Sequence, residues 1–219
     1  MARLKRIDLP HTLYHVMSRT NSGDLAFHKS CDYRKFLGYL QKYLALFEFH
    51  IHAYCLLPNH FHLILESGEK SALSELMRRL LTAYTVYFNR KHSRHGHLFQ
   101  GRFKSLVVEK SDYLLALSQY IHTNPQRLSP PHDPFMYEWS SLSAYLEGSA
   151  PPWLHTAEIL AWFKNNPAAY GRFIREGLNE RMKPLVMSRR FIGGEAFVRR
   201  WRERAVISDK ARGRDCADE

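Results

Sequence analysis

The residues whose types and spacing lend themselves most directly to chemistry are His60-Phe61-His62. They sit in the run His50 to Glu66, which reads as two short strands joined at Pro58-Asn59, because β-favouring and apolar residues flank a two-residue turn signal. Alternation along a strand sends His60 and His62 to one face and Phe61, Leu63 and Leu65 to the other. The apolar set packs against helices, and the two imidazoles then stand side by side, spaced for one divalent metal ion. A His-x-His pair alone is more often a half-exposed strand with two merely polar histidines than a metal site, so its meaning depends on what else the chain supplies.

Further along, Ser111 to Pro125 reads as a helix with Ser111 or Asp112 as N-cap, a stripe of Leu114, Leu117 and Ile121, and an end at Asn124 imposed by Pro125. Tyr120 and Asn124 are four residues apart and project from one side of that helix. Two imidazoles and an amide oxygen hold a divalent ion with few protein ligands, which leaves positions for phosphate and water and suits Mn²⁺ or Mg²⁺. Such an ion polarises a phosphate, and a tyrosine hydroxyl nearby is a natural nucleophile once its pKa of about 10 is overcome. From the residues alone Tyr84, Tyr87 and Tyr113 compete with Tyr120, and Asn124 reads equally well as a helix C-cap.

The elements that must position these groups follow from periodicity. Thr12 to Ser18 reads as a first strand. Cys31 to Phe47 is an amphipathic helix with Phe36, Leu37, Leu40, Leu44 and Phe47 on its stripe, and Ser71 to Arg90 is a second, carrying Leu73, Leu76, Leu80, Tyr84, Tyr87 and Phe88. Arg102 to Glu109 reads as a fourth strand. The order strand, helix, strand, strand, helix, strand predicts an α+β fold, a ferredoxin-like or RRM-like sheet with helices on one face and the histidine face open. Gly148 to Pro152 marks a boundary between a first domain, 1–147, and a basic helical accessory region, 153–219, with helices over Thr156–Lys164, Ala168–Leu178 and Glu195–Arg204. On that division, a chain ending near Gly148 folds and keeps its chemistry.

The 219 residues carry a net charge of +11, which points to a polyanionic partner, most often nucleic acid. Arg3, Lys5 and Arg6 form a basic entry arm. Arg90, Lys91, Arg94, Arg102 and Lys104, interleaved with Phe99, Gln100 and Phe103, suit a phosphate backbone and unpaired bases. His92, His95 and His97 among them read as a solvated basic loop rather than a second metal site. Arg189, Arg190, Arg199, Arg200, Arg202 and Arg204 offer a second basic surface, on solvated helix faces or a helix-turn-helix. Cys31, Cys55 and Cys216 match no zinc or disulfide spacing. There is no secretory signal and no apolar run of membrane-spanning length, so the expectation is a cytoplasmic, nucleoid-associated protein with no membrane partner, a monomer or homodimer.

Four ordered motifs carry a family resemblance: Leu57-Pro58-Asn59-His60-Phe61-His62, then Gly96 to Phe103, then Tyr120-Ile121-His122-Thr123-Asn124-Pro125, and Trp139-Ser140-Ser141. Together they resemble the single-tyrosine HUH transposases, most of all the REP-associated tyrosine transposases, over roughly residues 7–146. The resemblance implies Tyr120 as nucleophile, His60 and His62 as metal ligands with Asn124 as the third, and Mg²⁺ or Mn²⁺ as cofactor. It implies a single-stranded DNA substrate folded into an imperfect palindromic hairpin, cleaved and transferred through a 5′-phosphotyrosine. The contrasting reading is a domesticated relative that binds DNA or RNA hairpins without cutting. An intact set of His60, His62 and Tyr120 favours the enzyme.

Overall fold

The computed structural model describes residues 8–21, 24–69, 72–176, 185–186 and 190–214, the last ten of these by backbone alone. A five-stranded sheet of order β2-β3-β1-β4-β5 is built from β1 (Leu13–Arg19), β2 (Phe49–Leu57), β3 (His60–Ser67), β4 (Lys104–Val108) and β5 (Phe191–Ile192). The first four strands pair antiparallel, and β5 adds parallel to β4. That is the expected strand, helix, strand, strand, helix, strand arrangement with one strand appended.

Helices α1 (Ser30–Leu46) and α2 (Leu73–Lys91) cover one face. Their apolar stripes, Phe36 and Leu40 with Leu76, Leu80 and Tyr84, meet Phe61, Leu63 and Leu65 of β3 and Tyr14 and Val16 of β1 in a first core. Burial of this apolar surface, at roughly 25 cal/mol per Å², is what pins the register, because a one-residue slip would turn the histidines inward.

The opposite face is not left open, which corrects one expectation. Helix α3 (Asp112–His122) lies across it, followed by a 3₁₀ turn at Asn124–Arg127. Beyond the Pro-rich stretch come α4 (Leu142–Glu147), α5 (Ala157–Ala161), α6 (Pro167–Arg175) and α7 (Glu195–Arg214). Leu114, Leu117 and Ile121 of α3 join Ile64, Leu106 and Val108 of the sheet, Tyr145 of α4, and Tyr170 and Ile174 of α6 in a second core. A sheet with an apolar second face cannot stay bare in water, and α3 with its successors is what removes that surface.

Gly148 to Pro152 is accordingly not an end of packing, and the division into 1–147 and 153–219 does not separate two cores. Ile159, Tyr170 and Ile174 enter the second core, and β5 extends the sheet. The buried imidazole of His122 ties the parts together: its Nδ1 lies 2.7 Å from the Tyr170 hydroxyl and its Nε2 2.7 Å from Ser141 Oγ. Tyr170 in turn donates to Ser118 Oγ at 3.2 Å, so α6 grips α3 at two points.

A chain ending at Gly148 is therefore expected to lack a cooperative thermal transition by circular dichroism. In the full chain, Tyr170→Phe strands His122 Nδ1 in the core and should lower stability by about 1–3 kcal/mol in urea unfolding.

Candidate active site

One end of the second face remains a cavity of about 640 Å³, where α3 and the 3₁₀ turn diverge from the tips of β1 and β3. Strand alternation delivers His60 and His62 from β3, Met17 and Arg19 from β1, and Lys104 from β4 to its walls. Tyr120 and Asn124 reach it from α3 and the turn behind it. The chain thus brings together the four residues that the motifs single out. Tyr84 and Tyr87 belong instead to α2 on the other face; Tyr84 donates to the Ala26 carbonyl at 2.6 Å in the first core. Neither they nor Tyr113 line the cavity.

Each histidine is held by its Nδ1. His60 Nδ1 lies 2.6 Å from Asn59 Oδ1. An amide oxygen only accepts, so that nitrogen carries the proton and Nε2 keeps a lone pair for a ligand. Asn59 is the turn residue of the β2–β3 hairpin, which explains why the turn and the pair travel as one motif. His62 Nδ1 lies 2.9 Å from Nε2 of His15, a β1 residue whose ring stacks on it with centroids 5.1 Å apart. Burial, with Lys104 adding to it, pushes His15 down to about 3, so it is neutral and can accept the His62 Nδ1 proton. A charged His15 would have to donate instead, which would put the His62 proton on Nε2. Burial also holds His62 well below its usual value, with His15, His60 and Arg127 adding; burial and then Arg19 lower His60 to about 4. At neutral pH both imidazoles are uncharged.

Tyr120 is 5% exposed and stands edge-on to His62, centroids 5.7 Å apart at 90°. The Arg127 guanidinium lies over its ring at 5.2 Å. Asn124, 3% exposed, donates from Nδ2 to the Tyr120 carbonyl at 2.6 Å, which leaves its Oδ1 as a possible oxygen ligand. With His15 as the acceptor, two Nε2 lone pairs and one amide oxygen on one cavity fit a divalent ion that also takes phosphate oxygens.

The expected DNA-binding residues divide. Gln100, Arg102 and Lys104 line the cavity, and Gln100 Oε1 accepts from Arg19 Nε at 2.9 Å. Lys91 does not: its Nζ is bound to the buried Asp32 at 2.7 Å and to Tyr87 at 3.0 Å. Arg94 pairs with Asp24 at 2.5 Å and with the His97 carbonyl at 3.0 Å. Arg90 is exposed on α2 and away from the cavity lining. His92 is no solvated loop residue, since its Nε2 bonds Asp32. Arg3, Lys5, Arg6 and Arg189 lie outside the described residues.

Sequence reasoning missed His15, Arg19 and Arg127. Alternation on β1 was signal enough for the first two, because Leu13, His15, Met17 and Arg19 share the face of their β3 partners. Arg127 had no such signal; it reaches the cavity only because the helix gives way to a 3₁₀ turn after His122.

Comparison with known proteins decides the family. Residues 9–124, more than half of the chain, match the family described as transposase IS200-like. The chain belongs to that family. Among solved structures, a REP-associated tyrosine transposase bound to a REP hairpin shares the fold, with a TM-score of 0.60 and 17% identity over 71% of this chain and 92% of that one. A candidate transposase from Deinococcus radiodurans R1 overlaps at a TM-score of 0.39 and 15% identity over 55% of this chain and 95% of its own. No curated protein matches. Among the described residues no helix is long and apolar enough to cross a membrane.

The buried neutral histidines of this family member set a pH dependence. His15 and His122 are both held near 3 in the folded chain by burial, against about 6.5 when unfolded. Below pH 6.5 the unfolded chain binds protons that the folded one refuses. Their contribution is complete above that pH and is lost as pH falls toward 3. Urea midpoints should drop steadily from pH 7.5 through 5.5 to 4.5; a flat profile would contradict the buried, neutral assignment.

Proposed function

We propose that this IS200-like transposase is a metal-dependent single-stranded DNA endonuclease and strand transferase that acts on DNA hairpins through Tyr120. The observation that carries the reading is that Tyr120 lines the same cavity as His60 and His62 and stands edge-on to His62. The hairpin partner is supported by the likeness in fold to a REP-associated tyrosine transposase bound to a REP hairpin.

His60, His62 and Asn124 would hold Mg²⁺ or Mn²⁺, which when bound would polarise the scissile phosphate as a Lewis acid. The residues of the chain account for the rest. The Tyr120 oxygen attacks phosphorus, the phenolic proton leaves as the O–P bond forms, and the 3′ oxygen of the released strand takes up a proton. The product is a 5′-phosphotyrosine, and attack by a 3′ hydroxyl reverses the step and joins strands. Arg127, over the ring, favours the anionic form of the phenol and the charge building on the phosphate. His15 keeps His62 in the tautomer that leaves Nε2 available, and Asn59 does the same for His60. Arg19, Arg102 and Lys104 at the rim suit the phosphates on either side of the cut. A basic enzyme of this kind works at the chromosome, in keeping with a nucleoid location.

Tyr120→Phe removes one hydroxyl and should abolish cleavage of a labelled hairpin oligonucleotide in Mn²⁺ while leaving hairpin affinity within about twofold. A variant that still cut would move the nucleophile elsewhere. His60→Ala and His62→Ala should each abolish metal-dependent cleavage, and Asn124→Ala should do less because water can replace a neutral oxygen ligand. Wild-type protein that binds hairpins tightly but never cuts in Mn²⁺ or Mg²⁺ would instead support a binding-only relative.

A further inference from the structure

The histidine face of the sheet carries a second group of polar side chains at its other end. Glu66 lies four residues beyond His62 on β3, about 13 Å away at strand spacing. Opposite it, the pairing of β2 shifts between Ile51 and Ala53, a bulge that leaves His52 as the extra residue and turns it onto this face. The segment leading into α5 docks here: Leu154 bridges Ile51, and the His155 amide donates to the Ile51 carbonyl at 2.8 Å. It brings Glu158 in from above. With one ligand atom each, His52, Glu66 and Glu158 lie within 4.8 Å of one another.

The hydrogen atoms within this group are constrained. His52 Nε2 lies 2.8 Å from Glu66 Oε2, so a neutral ring carries its proton there. His52 is 3% exposed, and its Nδ1 is buried without a hydrogen-bond partner, 3.7 Å from Glu158 Oε2. With the ring neutral, a nitrogen lone pair faces a carboxylate oxygen at 3.7 Å, and the contact becomes attractive only with a second ring proton or a metal ion between the two atoms. Two ligand atoms at about 2.0 Å from one tetrahedral ion would be about 3.3 Å apart, close to the separation present. Lys110 Nζ supplies a positive charge from the side, 2.9 Å from each carboxylate, but it does not reach Nδ1 as a donor.

We propose that this cluster is a second metal site, distinct from the Tyr120 cavity, which takes a zinc-class divalent ion on His52 Nδ1 and the Glu158 carboxylate. Glu66 holds the Nε2 proton and so fixes the ligating tautomer, the arrangement common behind zinc-bound histidines. Imidazole nitrogen with carboxylate oxygen suits Zn²⁺ better than Mg²⁺, which demands an oxygen shell. Lys110 is the competitor: it neutralises the carboxylates when no ion is bound and is displaced when one enters. The ion would clip the segment carrying Glu158 to the sheet, beside the residue that precedes the Tyr120 helix by two positions.

The test is calorimetric titration of the full chain with Zn²⁺ at pH 7.5 on a His60→Ala/His62→Ala background, with circular dichroism confirming the fold. One equivalent should bind, and Glu158→Gln added to that background should weaken it by about tenfold or more. Lys110→Gln should tighten it, since a competing cation has gone. Should the double histidine variant fail to fold, the same comparison in the wild-type background should show two equivalents falling to one with Glu158→Gln. No equivalent bound by the background protein, or binding that Glu158→Gln leaves unchanged, would overturn the proposal. So would a Lys110→Gln variant that loses thermal stability without gaining zinc affinity, since the cluster would then be an ion-pair network only.

Discussion

The placement of the proposed nucleophile rests on one buried imidazole. Tyr120 is not on the sheet that carries His60 and His62; it is on α3, and its position is only as good as the seating of that helix. His122 provides the seat. Both its nitrogens are satisfied in the core, one by Ser141 and one by Tyr170, and burial keeps it neutral. Ser141 is in turn fixed to β2, where its Oγ accepts from the Tyr54 amide at 2.9 Å and its amide donates to the Tyr54 carbonyl at 3.0 Å. One hydrogen-bonded chain therefore runs from the sheet through Ser141 and His122 to α6. In the dry core the penalty for breaking any link is steep, because each break strands a polar atom. This gives a physical meaning to the motifs around Tyr120 and Trp139: Tyr120 and Asn124 line the cavity, while His122 and Ser141 hold the helix that carries them.

The cavity itself combines two kinds of electrostatic environment. Its floor is a stack of imidazoles kept neutral by burial, which is what a cation site requires. Its rim carries Arg19, Arg102 and Lys104, which suit a polyanion. Arg127 stands between the two and bears on both the Tyr120 ring and the His62 ring. On the function proposed above, phosphate is the ligand class that matches both parts at once, since it would answer the rim directly and reach the floor through a divalent ion.

Much of this was legible in the sequence because it depends on local periodicity. The five-residue spread of His60 to Ile64 fixes which side chains share a face, and the stripes of α1 and α2 say which face is buried. Tyr120 with Asn124 is a helical spacing and was equally readable. What could not be read depends on contacts between distant residues. Lys91 and Arg94 look like DNA ligands by charge, yet each is neutralised by an aspartate some sixty to seventy positions away, at 2.7 Å and 2.5 Å. The break at Gly148 looks like a domain end by composition, yet Tyr170 beyond it is a buried partner of His122. The β2 bulge sets His52 beside Glu66 without shifting Ala53 off the same face, and no pattern of single residues announces a bulge.

The central claim, that α3 presents Tyr120 to a phosphate held against His60 and His62, is tested most directly by trapping the covalent intermediate. A suicide hairpin oligonucleotide that cannot be rejoined is incubated with the protein and Mn²⁺, the adduct is digested, and the modified peptide is sequenced by mass spectrometry. The account predicts a nucleotide mass on Tyr120 and on no other tyrosine, dependent on the metal. An adduct on Tyr113, Tyr84 or Tyr87, or a cut strand with no protein attached, would contradict it.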